Sequence, residues 1–274
     1  MDKEDSQPLL VSDSEDNPHM AQTLNKISKN QIIPKSCFMK YFCCCISSND
    51  LTNREMNRYL KLKKNCIEQY DKENPSHEEL LTKFYNYGKE VYDKEGIKEQ
   101  GDKLWRVFGF QTENPRQDVR RGGLVSLKFM LYYVQNKETE SSQMFNTHLF
   151  SFALVCIRLT FLSRIMLRLV NDDEIETQAK TNKITLCNNK QLKHFCIGIT
   201  KDEFFYYDLL AQMVFFVFTM YRSQYEEAKK EMNILLIDPL IKNAITSLYN
   251  ALQDGNSENS IKECLKRELR ITKK

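Results

Sequence analysis

Two stretches of this 274-residue chain, 149–170 and 204–221, are its most apolar, and the first is apolar nearly all the way round a helix. A helix without a polar face has to be enclosed, by lipid or by other protein elements. The first stretch is interrupted by Arg158, Arg164 and Arg168, the second by Asp208 and Gln212. A membrane span needs about 20 predominantly apolar residues, and ionisable groups inside one are costly. Both stretches are therefore expected as buried core helices. Eight glycines and six prolines are few, and Leu, Lys, Glu, Gln and Met are abundant. That balance favours an all-α fold, and at 41% hydrophobic residues most of the chain should pack.

Periodicity places the other elements. Leu51, Met56, Tyr59, Leu60, Cys66, Ile67 and Tyr70 stand among charges over 50–72, as in an amphipathic helix. Pro75-Ser76-His77-Glu78-Glu79 reads as the start of a second helix running to about Asp93, with acids near the positive end of its dipole. A third is expected over 97–108, stopped at Gly109. Leu124, Leu127, Leu131 and Val134 then recur at helical spacing. Helices near 149–170, 202–223 and 225–253 follow, with a short charged one at 258–270. About six to eight helices are expected. Residues 138–148 and 171–190 read as connections, and the β-branched content of 184–199 leaves room for a little extended structure.

Ahead of the helices the composition changes. Residues 1–36 lack periodic apolar positions, so a disordered tail is expected. Six acids accompany Lys3 over 1–20, whereas nine Lys and Arg accompany Asp50 and Glu55 over 21–64. Asp5-Ser-Gln-Pro-Leu9-Leu10 is similar to acidic-dileucine sorting signals, and Ser12 and Ser14 stand among acids as acidophilic kinase sites would. Cys43, Cys44 and Cys45 follow Phe38, Lys40, Tyr41 and Phe42, a setting suited to reversible S-acylation. Two or three acyl chains beside Lys35 and Lys40 would hold a protein on a membrane. The plain alternative is that these cysteines are packed small hydrophobes. The organisation read from the sequence is a tail over 1–48, acidic and then Cys-rich, followed by one helical domain over 49–274. The opening residues are acidic, unlike a secretory signal, and the nine cysteines form no CxxC pair. A reduced, cytoplasmic protein is expected, peripheral on endomembranes through acylation.

The densest chemistry lies in 105–124, WRVFGFQTENPRQDVRRGGL. It holds the only tryptophan, an aromatic-glycine turn at Phe108-Gly109-Phe110, a proline and Asp118-Val119-Arg120-Arg121-Gly122-Gly123. Arginines beside paired glycines suit a place where backbone and guanidinium approach an anionic partner. The order resembles the signature of the ELMO-domain family, W-x3-GFQ-x3-P-x2-DFRG-x-G-x3-L. Trp105, Gly109, Phe110, Gln111, Pro115, Asp118, Arg120, Gly123 and Leu127 match it in register. Val119 replaces the family's aromatic, and Arg121 replaces the glycine after the motif arginine. Glycine there could serve a positive φ, a duty that Gly122 would have to take over.

The resemblance implies a single helical ELMO-type domain. The smaller, ELMOD-type members activate GTP hydrolysis by Arf-family GTPases through the motif arginine, which falls on Arg120. On this reading the chain is a GTPase activator rather than an enzyme with its own substrate, and its partner is an Arf/Arl GTPase in its GTP-bound form. Asp118 would orient Arg120 or cap the following helix, Gly122 and Gly123 would let the loop approach the nucleotide, and Trp105 would fix it from beneath, with Gln111 in support. The alternative is a non-catalytic scaffold module like the longer ELMO proteins of Rac-linked cytoskeletal and engulfment signalling. No GxxxxGK[ST] loop or acyl-transfer signature occurs, and His19, His77, His148 and His194 lack metal spacing. No cofactor or metal is expected. The net charge of +3 gives no ground for nucleic-acid binding.

Overall fold

The computed structural model describes residues 51–93, 103–147, 150–226 and 234–271. These form twelve α-helices and, among the described residues, no strand. The all-α reading holds. The helix number exceeds the six to eight expected because four intervals read as connections or extended chain are helical. In order the helices are α1 Asn53–Ile67, α2 Pro75–Asp93, α3 Lys103–Val107, α4 Pro115–Gly122, α5 Leu124–Asn136, α6 Glu138–Asn146, α7 Phe152–Met166, α8 Ile175–Asn182, α9 Asn189–Lys201, α10 Phe205–Tyr221, α11 Ile234–Asp254 and α12 Glu258–Ile271. The tail, with its Leu9-Leu10 motif and Cys43–Cys45, lies outside the described residues, as does the first part of the helix expected over 97–108.

Both apolar stretches are core helices. α7 is packed by α4, α5, α8, α10 and α11, and α10 by α5, α7, α9, α11 and α12. No single helix among the described residues is long and apolar enough to cross a membrane. α7 is buried along its length except for Leu154, Arg158 and Phe161, which fall at i, i+4 and i+7 on one stripe. α10 keeps a similar stripe at Asp208, Gln212, Phe215 and Thr219. The charged interruptions in these helices are thus resolved by partners rather than by solvent alone. Arg164 is buried on the α4 side, and Asp208 accepts from Tyr132 Oη (2.5 Å) and from Lys262 Nζ (2.7 Å) on α12.

Local chemistry sets the helix starts. α1 opens on a reciprocal capping box, in which Thr52 Oγ1 accepts from Glu55 N–H (3.3 Å) and Glu55 Oε2 from Thr52 N–H (2.7 Å). α9, in the stretch with β-branched character, opens on another: Asn188 Oδ1 accepts from Gln191 N–H (3.0 Å) and Gln191 Oε1 from Asn188 N–H (2.9 Å). Leu192, Phe195, Cys196 and Ile199 then line its buried face at helical spacing. α8 buries only Ile175 and Ala179, which leaves little periodic signal.

Candidate functional site

An aromatic platform builds the site from below. Trp105, Phe108 and Phe110 are buried, with the Trp105 ring 4.9 Å from Tyr85 and 5.4 Å from Phe110. Phe108 lies 5.5 Å from Phe84 and 4.9 Å from Phe145. Gly109 follows at φ 85°, and a Cβ there would overlap Phe152 N and the Ser151 backbone. This close approach lets the turn lie on the N-terminus of α7. Phe108 O accepts from Ala153 N–H (2.9 Å) and Gly109 O from Leu154 N–H (3.3 Å). Ser151 offers α7 no side-chain cap, so the turn's carbonyls satisfy the helix's first donors instead.

The motif itself is a helix rather than a loop. Pro115 starts α4, a position where its missing N–H costs nothing. Asp118 Oδ2 accepts from Gln111 N–H (2.8 Å), tying the turn to the helix. No ion pair joins Asp118 to Arg120 among the described residues, so its work is on the turn rather than on the arginine. Arg116 makes a two-pronged pair with Glu78 of α2, Nε at 2.8 Å and Nη2 at 2.6 Å from its oxygens, and Tyr70 Oη donates to the same carboxylate. The Arg116 hydrogen bonds hold the Glu78 carboxyl below the ordinary glutamate range. Val119 fills the core beneath.

The glycine pair is buried, not presented outward. A Cβ at Gly122 would stand 2.6 Å from Ser126 Cβ, so this glycine lets α4 close on α5. Gly123, at φ 72° and ψ 177°, ends α4 and begins α5 in a conformation nearly confined to glycine. Ser126 Oγ donates to Gly123 O (2.8 Å), and Leu124 N–H donates to Glu68 O (3.0 Å). Arg164 Nη1 donates to Gly122 O (2.6 Å), a cation at the negative end of α4. Position 121 is helical, so the positive φ at this corner falls on Gly123 and neither Arg121 nor Gly122 has to supply it.

Above these supports opens a cleft of about 500 Å³, bounded by the Gly109–Thr112 turn, by Gln117, Asp118 and Arg120 of α4, and by Leu154, Ile157, Arg158 and Phe161 of α7. Arg120 is exposed on its rim and has no hydrogen bond or ion pair among the described residues. Its guanidinium keeps all five N–H donors for an incoming anionic oxygen. Arg158 is half-buried and engaged: Nε donates to Asp238 Oδ1 (2.9 Å) and Nη1 to Asn182 Oδ1 (3.4 Å), and the group lies 5.7 Å from the Phe161 ring centre. Elsewhere, burial pushes the Cys66, Cys187 and Cys196 thiols up to about 12, which keeps them protonated and unreactive.

The fold therefore gathers Trp105, Gln111, Asp118, Arg120, Gly122 and Gly123 in one place, with Arg120 alone of the six offering an uncommitted charge to the cleft. Arg164, the support under α4, and Arg158, the cation on the opposite wall, were visible in the sequence only as interruptions of an apolar helix. That is itself a signal, since an arginine in such a helix needs a partner or an opening.

A profile of the ELMO/CED-12 family matches residues 60–234, more than half of the chain. Among curated proteins the chain is 29% identical over 115 residues to ELMO domain-containing protein 2 of Bos taurus, which covers 40% of this chain and 38% of that protein. The corresponding human protein is 30% identical over 104 residues, 36% of this chain and 34% of its own length. ELMO domain-containing protein 1 of Pongo abelii is 32% identical over 82 residues, 30% of this chain and 24% of its own length. The matches thus span less than two fifths of these relatives. No solved structure matches the chain significantly.

Proposed function

The chain belongs to the ELMO/CED-12 family, and on that premise we propose that it activates GTP hydrolysis by a small GTPase of the Arf/Arl group, placing Arg120 in the GTPase's nucleotide site. The observation that carries this reading is the state of Arg120: exposed at the mouth of a cleft and held by no partner among the described residues, while neighbouring Arg116 and Arg158 are committed to Glu78 and Asp238. GTP hydrolysis accumulates negative charge on the γ-phosphoryl oxygens and the β–γ bridge. A guanidinium supplied in trans accelerates such reactions by about 10³–10⁵. That corresponds to roughly 4–7 kcal/mol of barrier. α4 carries the residue on a short helix fixed at both ends, by Glu78–Arg116 and by Arg164–Gly122. Little ordering of the helix is then left to complete at insertion.

Single-turnover GTP hydrolysis by a panel of Arf and Arl GTPases tests this, with the 274-residue wild type or Arg120→Lys added. Acceleration that disappears in the variant while binding persists is the expected result, because a lysine lacks the planar fork. No acceleration of any member would overturn the reading in favour of a non-catalytic interaction module. We propose also that S-acylation of Cys43, Cys44 and Cys45 holds the protein on endomembranes, from their setting among aromatics and lysines. The triple serine variant should move to the soluble fraction, and unchanged partitioning would refute the anchor.

A further inference from the structure

We propose that Arg158 is a docking residue: it receives an acidic side chain of the GTPase in the cleft, opposite Arg120. The inference rests on the activator reading above. α7 is enclosed along its length except for Leu154, Arg158 and Phe161, and all three line the same cleft as Arg120. The single opening left in an otherwise sealed core helix therefore carries a cation between two apolar residues. Among the described lining residues, charge in the cleft is unbalanced toward positive: Asp118 is the one carboxylate beside Arg120 and Arg158, and an oxygen of that group already accepts from Gln111 N–H.

The two arginines differ in what they can reach. Arg120 is exposed on the rim and uncommitted among the described residues, so it can extend out of the chain. Arg158 is half-buried and tethered from behind, through Nε to Asp238 of α11 and through Nη1 to Asn182 of α8. Its Nη2 has no hydrogen-bond partner among the described residues. A tethered guanidinium cannot advance to a nucleotide lying in another protein, so its ligand has to project into the cleft. An Asp or Glu side chain flanked by an apolar neighbour matches Nη2 together with Leu154, Ile157 and Phe161. Asp238 is shared with Lys242 Nζ (3.1 Å), so it is not left unpaired when Arg158 is removed.

The test is the concentration dependence of activation with the GTPase that the 274-residue wild type accelerates. Arg158→Gln should raise the apparent KM for the GTP-bound GTPase about tenfold, as loss of an interfacial charge contact does, and leave the saturated rate unchanged. The shift should shrink at high salt. Asp238→Asn takes the negative charge out of the tether but keeps the cation, so its KM should stay at or below the wild-type value. If the two variants raise KM alike, the pair is structural and the proposal is overturned. An unchanged KM in Arg158→Gln also overturns it while leaving the Arg120 reading intact. Thermal melting accompanies both variants. Should Arg158→Gln fail to fold, Asp238→Asn decides alone, since a structural pair requires its KM to rise. If wild type accelerates no GTPase, the activator reading falls first and this inference with it.

Discussion

The two faces of α4 treat arginine in opposite ways. On the open face Arg120 stands at the cleft with no partner among the described residues, whereas beneath the helix Arg164 is 5% exposed and donates to Gly122 O at 2.6 Å. The same side chain type serves reach in one place and fixation in the other. An exposed guanidinium contributes little to stability and is free to act on another molecule. A buried one has given up hydration, so its hydrogen bonds to the chain are indispensable to the local structure. The contrast is sharpest where it matters for chemistry, since the fixed face holds still the helix from which the free face projects.

Arg120→Ala should break the contrast on one side only. We expect the activation to fall by about 10³–10⁵. The melting transition should move by no more than that of a neutral surface substitution, within about 0.5 kcal/mol. Single-turnover hydrolysis beside a denaturant melt checks both. A clear loss of stability would mean that Arg120 is structural after all. Arg164→Ala should do the reverse, costing about 1–3 kcal/mol because the buried Gly122 carbonyl is left without its donor. Any fall in activation should then track the unfolded fraction. If instead a fully folded Arg164→Ala protein loses activation, α4 is positioned more delicately than its contacts imply.

That division was only half readable in the sequence. Trp105, Gly109, Gln111, Asp118 and Arg120 are singled out by the resemblance to the family signature, and the fold brings them together. α2 and α5 could be placed because Pro75 marks one start and Leu124, Leu127, Leu131 and Val134 mark one face. α4 could not, since Val119 is the sole apolar side chain of its eight residues beyond Pro115, and the flanking Pro115 and Gly122–Gly123 read as a loop. α9 was within reach through Asn188…Gln191 and the Leu192, Phe195, Cys196, Ile199 series, but its β-branched residues pulled the other way. The far wall of the cleft was beyond reach for a different reason. Arg158 meets Asn182 and Asp238 across 24 and 80 residues of sequence, and such pairings follow from packing rather than from local pattern.

Gly123→Ala tests the corner between the faces. The residue sits at φ 72° and ψ 177°, and its Cβ would meet both Glu68 O and Arg164 Nη1 at 3.0 Å. The expected loss is about 1–3 kcal/mol from backbone strain. Because the methyl group presses on Arg164 itself, Gly123→Ala and Arg164→Ala should be less than additive in a double-mutant cycle. Strict additivity would show that the corner and the buried arginine act independently.

The smallest expected effect concerns the start of α4, where Arg116 pairs with Glu78. Arg116 is 45% exposed at its side chain and Glu78 30%, so the pair is worth at most about 1 kcal/mol after screening. Its sign is nevertheless definite. The Glu78 carboxyl is held below its ordinary value by the Arg116 hydrogen bonds, aided by the Tyr70 hydroxyl. A carboxylate whose folded value is depressed adds stability that is complete above the unfolded value, near pH 4.3 for glutamate. That stability is lost as the pH falls through the lower folded value. Glu78→Gln should therefore be slightly less stable than wild type at neutral pH and should approach it in acid. The difference measured by denaturant melts from neutral pH to below about pH 4 decides the matter. A gap that stays constant across this range would assign the contribution of Glu78 to packing. A gap that closes would assign it to the ion pair, and the N-terminal end of the motif helix would then be held electrostatically, as its C-terminal end is held by Arg164.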